Sequence, residues 1–135
     1  MTNIDQTDLR KAAIHEAAHM VIGNVNGGLC TAKVFPAEAG EDFKSWSGNC
    51  TYFKAPEPLE VYALAGTFAE MIDEGLELCE IVDCMQIDPH SISSTDAALM
   101  GKDWIDHADE TFMQVKQHWE EIVFEAECLI QGAIR

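Results

Sequence analysis

The chain has 135 residues, the length of one ordinary domain, and its hydrophobic fraction of 47% is too high for a disordered protein. Its 24 acidic and 8 basic residues give a formal charge of −16, which repels phosphate backbones and disfavours nucleic-acid binding. No apolar run reaches about 18 residues, the length that a membrane span requires, and the N-terminus lacks a secretory signal. A single cytoplasmic domain over residues 1–135, with no membrane partner, is predicted.

The N-terminal segment predicts a long amphipathic helix. Thr7 or Asp8 is a candidate N-cap, and the glycine pair after Asn26 ends the helix. Apolar residues recur on one face at helical spacing, at Leu9, Ala13, Ala17, Met20, Val21 and Val25.

Two short strands and a second helix follow. Residues 29–35 and 48–54 are typical of strands, and they predict a small antiparallel hairpin with a long connection. Pro56 and Pro58 open a helix that ends near Gly75 or restarts after it. Its predicted buried face consists of Val61, Leu64, Ala65, Phe68 and Ile72.

The C-terminal part predicts two more helices. Ser93 or Ser94 caps a helix over about residues 95–108, and a last long helix covers about residues 110–134. Because helices dominate and the strands are few, the predicted fold class is mainly α with a small antiparallel β-sheet (α+β).

The stretch IHEAAHMVIG, residues 14–23, places three titratable groups inside the first helix. Residues four apart share a helix face, so His15 and His19 can present imidazole nitrogens to one metal ion. Glu16 lies about 100° round the helix from His15 and can reach a water on the open side of that metal. This is the HExxH arrangement of zinc peptidases, with Glu16 as general base; two surface histidines on an amphipathic helix are the alternative.

A catalytic zinc ion usually has three protein ligands and one open position. The metzincin pattern requires a glycine and a third histidine downstream of the motif, and Ile22 and Val25 occupy those positions. The remaining candidates for the third ligand are Glu70, Asp83, Asp88, His90, Asp96 and His107.

Three stretches, taken in order, resemble the peptidase domain of the FtsH family, the membrane-tethered AAA+ zinc proteases. AAIHEAAHMVIG is similar to the family's helix with its HEAGH core, and ALAGTFAEMI resembles its LxGRxAEE segment. SSTDAALMGKDW resembles the SNDL-type start of a later helix. The resemblance covers about residues 9–106 and implies a zincin-like FtsH peptidase-domain architecture.

The resemblance implies the zinc ligands His15, His19 and Asp96, with Glu16 as general base. It also implies that Glu70 lies near the metal as a supporting residue, and a ligating histidine commonly donates its second N–H to such a carboxylate. Asp96 as a helix-capping acid and Glu70 as a solvated residue are the alternatives. The other histidines, His90, His107 and His118, are predicted to be surface or loop residues.

The sequence also departs from the family. Thr67 stands where the family has arginine, Met71 replaces the second glutamate, and AA replaces AG within the motif. No GxxxxGK[ST] loop for ATP is found. The chain is therefore expected to act on short or unfolded peptides, to rely on a separate unfoldase, or to have lost activity.

The predicted function is a stand-alone Zn²⁺-dependent endopeptidase that hydrolyses peptide or unfolded-protein substrates by a metal-activated water. The strand over residues 50–54 is a candidate edge for pairing with an extended substrate. A second copy of the chain, in a homo-oligomer, and a separate unfoldase are the candidate protein partners. The alternatives are a catalytically inactive zinc-binding module that serves as a partner or regulatory domain, and a helical domain without metal.

Overall fold

A computed structural model describes residues 3–37, 45–88 and 92–134. Within these ranges the chain is mainly helical with one two-stranded antiparallel sheet, which confirms the α+β class. The elements are α1 (Asn3–Val25), β1 (Leu29–Pro36), β2 (Trp46–Lys54), α2 (Leu59–Asp73), α3 (Leu78–Ile87), α4 (Ser94–Met100), α5 (Ala108–Gln117) and α6 (Trp119–Ala133), with a short 3-10 helix (Trp104–His107) before α5. No helix among the described residues is both long and apolar enough to cross a membrane.

Helices α1 and α2 pack antiparallel at the centre of the core. Their contacts run in opposite order along the two helices: Arg10 pairs with Asp73, and His15 pairs with Glu70. Helix α2 buries every residue of the range Val61–Ala69, so it is surrounded by protein rather than buried along one stripe as predicted. Towards the middle of this shared face polar side chains such as that of His19 are therefore shielded from water, whereas the Arg10–Asp73 pair at its end is exposed.

The buried face of α1 is broader at its centre than predicted and shorter at its end. Ile14, Ala18 and Ile22 are buried in addition to the predicted positions, whereas Val25 is 45% exposed and Met20 is half-buried. The difference arises because α1 contacts α2, the sheet and α6, so no single stripe describes its packing.

The predicted hairpin is confirmed. Strands β1 and β2 pair antiparallel from Leu29↔Lys54 to Pro36↔Trp46, with a register shift beside Cys30. The second strand begins at Trp46, two residues before its predicted start.

The predicted N-cap of α1 is wrong, because the helix already begins at Asn3. The Asp8 carboxylate instead accepts hydrogen bonds from the backbone N–H groups of Ser45 and Trp46, at 2.6 and 2.8 Å. A carboxylate that can accept the free backbone N–H groups at the start of a helix can equally accept those at the start of a strand. Local sequence does not distinguish the two cases.

The C-terminal helices are shorter than predicted. Gly101, at φ 72°, ends α4, so the predicted helix over residues 95–108 is interrupted. His118 separates α5 from α6, which divides the predicted last helix in two. After Gly75, at φ 92°, the chain restarts as α3, one of the two outcomes expected there.

Candidate metal centre

His15 and His19 lie one turn apart on α1 and face the same point. Their Nε2 atoms are 3.1 Å apart, and their rings meet edge to face with centroids 4.7 Å apart. His19 is 3% exposed, so this is not a pair of surface histidines.

Asp96 reaches the same point from the first turn of α4. The Ser93 side chain caps this helix by accepting the Asp96 backbone N–H at 3.2 Å, which selects Ser93 over Ser94 as the cap. The Asp96 carboxylate is thereby left for other partners, and its Oδ2 lies 3.1 Å from His15 Nε2 and 3.3 Å from His19 Nε2.

The three atoms form a triangle of the size that a tetrahedral metal ion needs. With metal–ligand bonds of about 2.0–2.1 Å, ligand atoms at tetrahedral angles lie about 3.3–3.4 Å apart. The observed edges of 3.1, 3.1 and 3.3 Å come close to this spacing. His15, His19 and Asp96 therefore form a group that could hold a metal ion.

The outer nitrogen of each imidazole is held by a hydrogen-bond acceptor. His19 Nδ1 donates to the backbone carbonyl of Tyr62 at 2.7 Å, and His15 Nδ1 donates to the Glu70 carboxylate at 2.7 Å. A carbonyl oxygen can only accept, so the proton of neutral His19 is on Nδ1 and its Nε2 carries a lone pair. The same assignment follows for His15 beside the Glu70 carboxylate.

With both histidines neutral, the lone pairs of His15 Nε2, His19 Nε2 and Asp96 Oδ2 thus face one another with no hydrogen-bond donor among them. This arrangement is stable only if a cation, either a proton or a metal ion, lies between them. Burial lowers the pKa of His15, but hydrogen bonds to Asp96 and Glu70 outweigh it and raise this pKa well above 6.5. Burial raises the pKa of Asp96, yet the hydrogen bonds to the two histidines hold it well below its usual range. The site is built for a positive charge.

Gly66 on α2 leaves the space in front of the two imidazoles. A Cβ atom at this position would lie 2.5 Å from His19 Nε2 and 2.6 Å from His15 Nε2. These are the two nitrogens that point at the centre, so a side chain here would compete with an ion for the same volume. The absence of a side chain at Gly66 therefore provides the space at the centre of the site.

Glu16 lies buried beside this centre, on the neighbouring face of α1, with 8% of its surface exposed. Burial raises the pKa of Glu16, while the nearby His15 and His19 oppose that increase. Gly48 of β2 packs directly against the Glu16 side chain. A carboxyl group with a raised pKa takes up a proton more readily than an ordinary glutamate, which suits it to accepting and returning one.

Among the described residues, Glu70 contacts His15 from outside the group, and the candidates Asp83, Asp88 and His107 are not part of it. Asp83 is exposed on α3, and Asp88 follows the end of α3. His107 pairs with Glu60 at 2.9 Å. His90 lies outside the described residues. Of the candidates in the described ranges, only Asp96 joins the two histidines.

Two contributors to the site could not be found from sequence motifs. Tyr62 acts through its backbone carbonyl, which any residue would supply, and its ring packs on that of His19 with centroids 5.1 Å apart. Gly48 matters through the side chain that it lacks. The pattern of residue types contains no signal for either contribution.

A comparison with protein-family models found no match, and a comparison with curated proteins found none either. The site is therefore interpreted from its own geometry.

Proposed function

We propose that the chain is a zinc-dependent metallopeptidase of zincin-like architecture. The observation that carries the proposal is the convergence of two oriented imidazole nitrogens and one carboxylate oxygen at 3.1–3.3 Å, with their outer contacts satisfied. Two nitrogens and one oxygen suit zinc, and three protein ligands leave a fourth position for water or substrate.

Each residue of the site has a role in this proposal. His15, His19 and Asp96 would hold the ion, and Glu70 and the Tyr62 carbonyl keep the two rings in the ligating tautomer. Zinc bound there would lower the pKa of a water and polarise the peptide carbonyl. Glu16 would accept the proton of the attacking water and pass it to the nitrogen of the departing amine.

The substrate is proposed to be an extended peptide or an unfolded protein segment. Among the described residues β2 pairs only with β1, so its other edge has no strand partner there, and Gly48 in this strand lies beside Glu16. An extended chain can add to such an edge by main-chain hydrogen bonds. A folded substrate would need a separate unfoldase.

A non-catalytic zinc module is the competing function. The buried Glu16 argues against this alternative, because a purely structural zinc site does not need a general base and normally has a fourth protein ligand. The described residues offer three ligand atoms at the centre rather than four.

The test compares the wild-type chain with Glu16→Gln and, as a matched control, Glu60→Gln. Zinc content is measured by elemental analysis, and cleavage is measured on a denatured, fluorescently labelled protein. We expect one bound zinc ion in all three proteins and a loss of about 10²- to 10⁴-fold in kcat for Glu16→Gln alone. Absence of zinc from the wild type, or equal cleavage by Glu16→Gln, would refute the proposal. Zinc without any cleavage would identify the non-catalytic module.

A further inference from the structure

Strand β2 is held beside the candidate site by side-chain hydrogen bonds on either side of the strand's midpoint. At its start, the Asp8 carboxylate of α1 accepts the N–H groups of Ser45 and Trp46. Further along, the Tyr62 hydroxyl of α2 donates to the Cys50 carbonyl at 3.4 Å. Helix α1, which carries the two histidines, and helix α2, whose Glu70 and Tyr62 orient their rings, therefore also determine where β2 runs.

Between these two anchors lies Gly48, which contacts the proposed base. A Cβ atom at this position would lie 2.6 Å from Glu16 Cγ and 3.1 Å from Glu16 Oε2. The same Cβ atom would lie 2.9 Å from the Lys33 carbonyl oxygen of β1. A side chain here would therefore crowd both Glu16 and the backbone of β1.

Backbone conformation does not explain a glycine at this position. The glycines with positive φ are Gly27, Gly75 and Gly101 among the described residues, so Gly48 has a backbone that other residues adopt. Glycine in a strand interior weakens the strand and often marks the close approach of another group. Here the approaching group is the Glu16 side chain.

We propose that Gly48 is a positioning residue for the general base. Because Gly48 has no side chain, β2 packs closely against Glu16, and this packing holds the Glu16 carboxylate beside the open position of the proposed metal site. This inference rests on the proposed peptidase function. It assigns to β2 the control of where the base stands, in addition to any role in substrate pairing.

The first experiment tests the contact without using activity. Gly48→Ala is made in the wild-type chain and in a Glu16→Ala background, in which Glu16 Cγ and its carboxylate are gone. We expect the loss of Tm caused by Gly48→Ala to be at least about 3 °C smaller in the Glu16→Ala background. Folding only in that background also supports the contact. An equal loss in both backgrounds, or failure to fold in both, would show that the Lys33 carbonyl alone excludes a side chain, and would overturn the inference.

The second experiment tests the effect on catalysis. In Gly48→Ala we expect kcat to fall by about 10-fold or more, because small misplacements of a catalytic group are costly. KM and zinc affinity should stay within about threefold, since the added methyl group removes neither a main-chain hydrogen-bonding group of β2 nor a zinc ligand. Gly132→Ala is the matched control, because a Cβ at Gly132 meets nothing within 4 Å, and it should leave both parameters unchanged.

The outcomes separate this inference from the function on which it rests. Active wild-type protein with unchanged kcat in Gly48→Ala, or with a change confined to KM, overturns the role of Gly48 and leaves the peptidase assignment intact. Inactive wild-type protein refutes the peptidase assignment, and the stability experiment still reports whether Gly48 and Glu16 are in contact.

Discussion

Replacing Gly66 with alanine should disable the metal centre. The added Cβ would lie 2.5 Å from His19 Nε2, 2.6 Å from His15 Nε2 and 2.7 Å from His15 Cε1. Ordinary contact between heavy atoms lies at about 3.5–4.0 Å, so both rings would have to withdraw by about 1 Å. Neither ring is free to do so, because the Tyr62 carbonyl and Glu70 hold their Nδ1 atoms.

The expected loss of zinc affinity follows from the zinc–nitrogen bonds that the added methyl group would displace. Zinc–nitrogen bonds stay close to about 2.0–2.1 Å, so a displacement of about 1 Å removes a ligand. Zinc sites in small peptides bind with about 10–16 kcal/mol from four ligands, so the loss of even one of the two imidazoles, the smallest effect expected, costs about 3 kcal/mol. This corresponds to a decrease in zinc affinity of about 100-fold. The metal-free protein should also lose about 1–3 kcal/mol of stability from overpacking.

The assay is competition between the metal-free protein and a chromophoric zinc chelator, with thermal unfolding recorded in parallel. Gly132→Ala serves as the control, because it adds the same methyl group to a helix where nothing lies within 4 Å. A folded Gly66→Ala protein that binds zinc within about threefold of the wild type would show that Gly66 does not shape the site, and the reasoning from ligand geometry would fail.

Two further predictions concern the groups around the ligands. Glu70→Gln should weaken zinc binding by about 10- to 100-fold, because Glu70 orients His15. Glu60→Gln, which alters the equivalent contact of His107, should leave zinc binding unchanged. Equal zinc affinities of the two variants in a chelator competition would count against the orienting role of Glu70. Zinc binding should release a proton at neutral pH, because the raised pKa of His15 leaves it protonated in the metal-free protein, so apparent affinity should rise with pH until that pKa is passed. Calorimetry in buffers of different ionisation enthalpy measures this proton, and heats that do not depend on the buffer would contradict it.

The parts of the site that local sequence predicts are those set by helical periodicity. The spacing of His15 and His19 alone places them on one face of α1, and the structure has their Nε2 atoms 3.1 Å apart. Asp96 is different, because its approach depends on tertiary packing across an 81-residue separation from His15. From the residues alone Asp96 is one of several candidates, and only the resemblance to a known family singles it out.

The errors have the same physical origin. Asp8 has the chemistry of a helix cap, but tertiary contacts use it for the start of β2. Gly101 ends α4 at a positive φ that glycine adopts readily, and His118 separates α5 from α6; both residues lie inside segments that the sequence predicts as one helix each. Space-filling roles such as those of Gly48 and Gly66 require knowledge of what lies opposite, which a pattern of residue types does not contain.

The distance along the chain between the ligands has a mechanical consequence. An ion shared by α1 and α4 would act as a cross-link that closes a loop of 77 to 81 residues. A covalent link across a loop of about 100 residues is worth about 4.7 kcal/mol in unfolded-state entropy, which sets the scale for such a tether. Helix α4 has only seven residues, too few to be stable by itself. Stripping the ion with a chelator would thus loosen α4 first, and backbone amides there would exchange with solvent while the α1–α2 pair stayed protected.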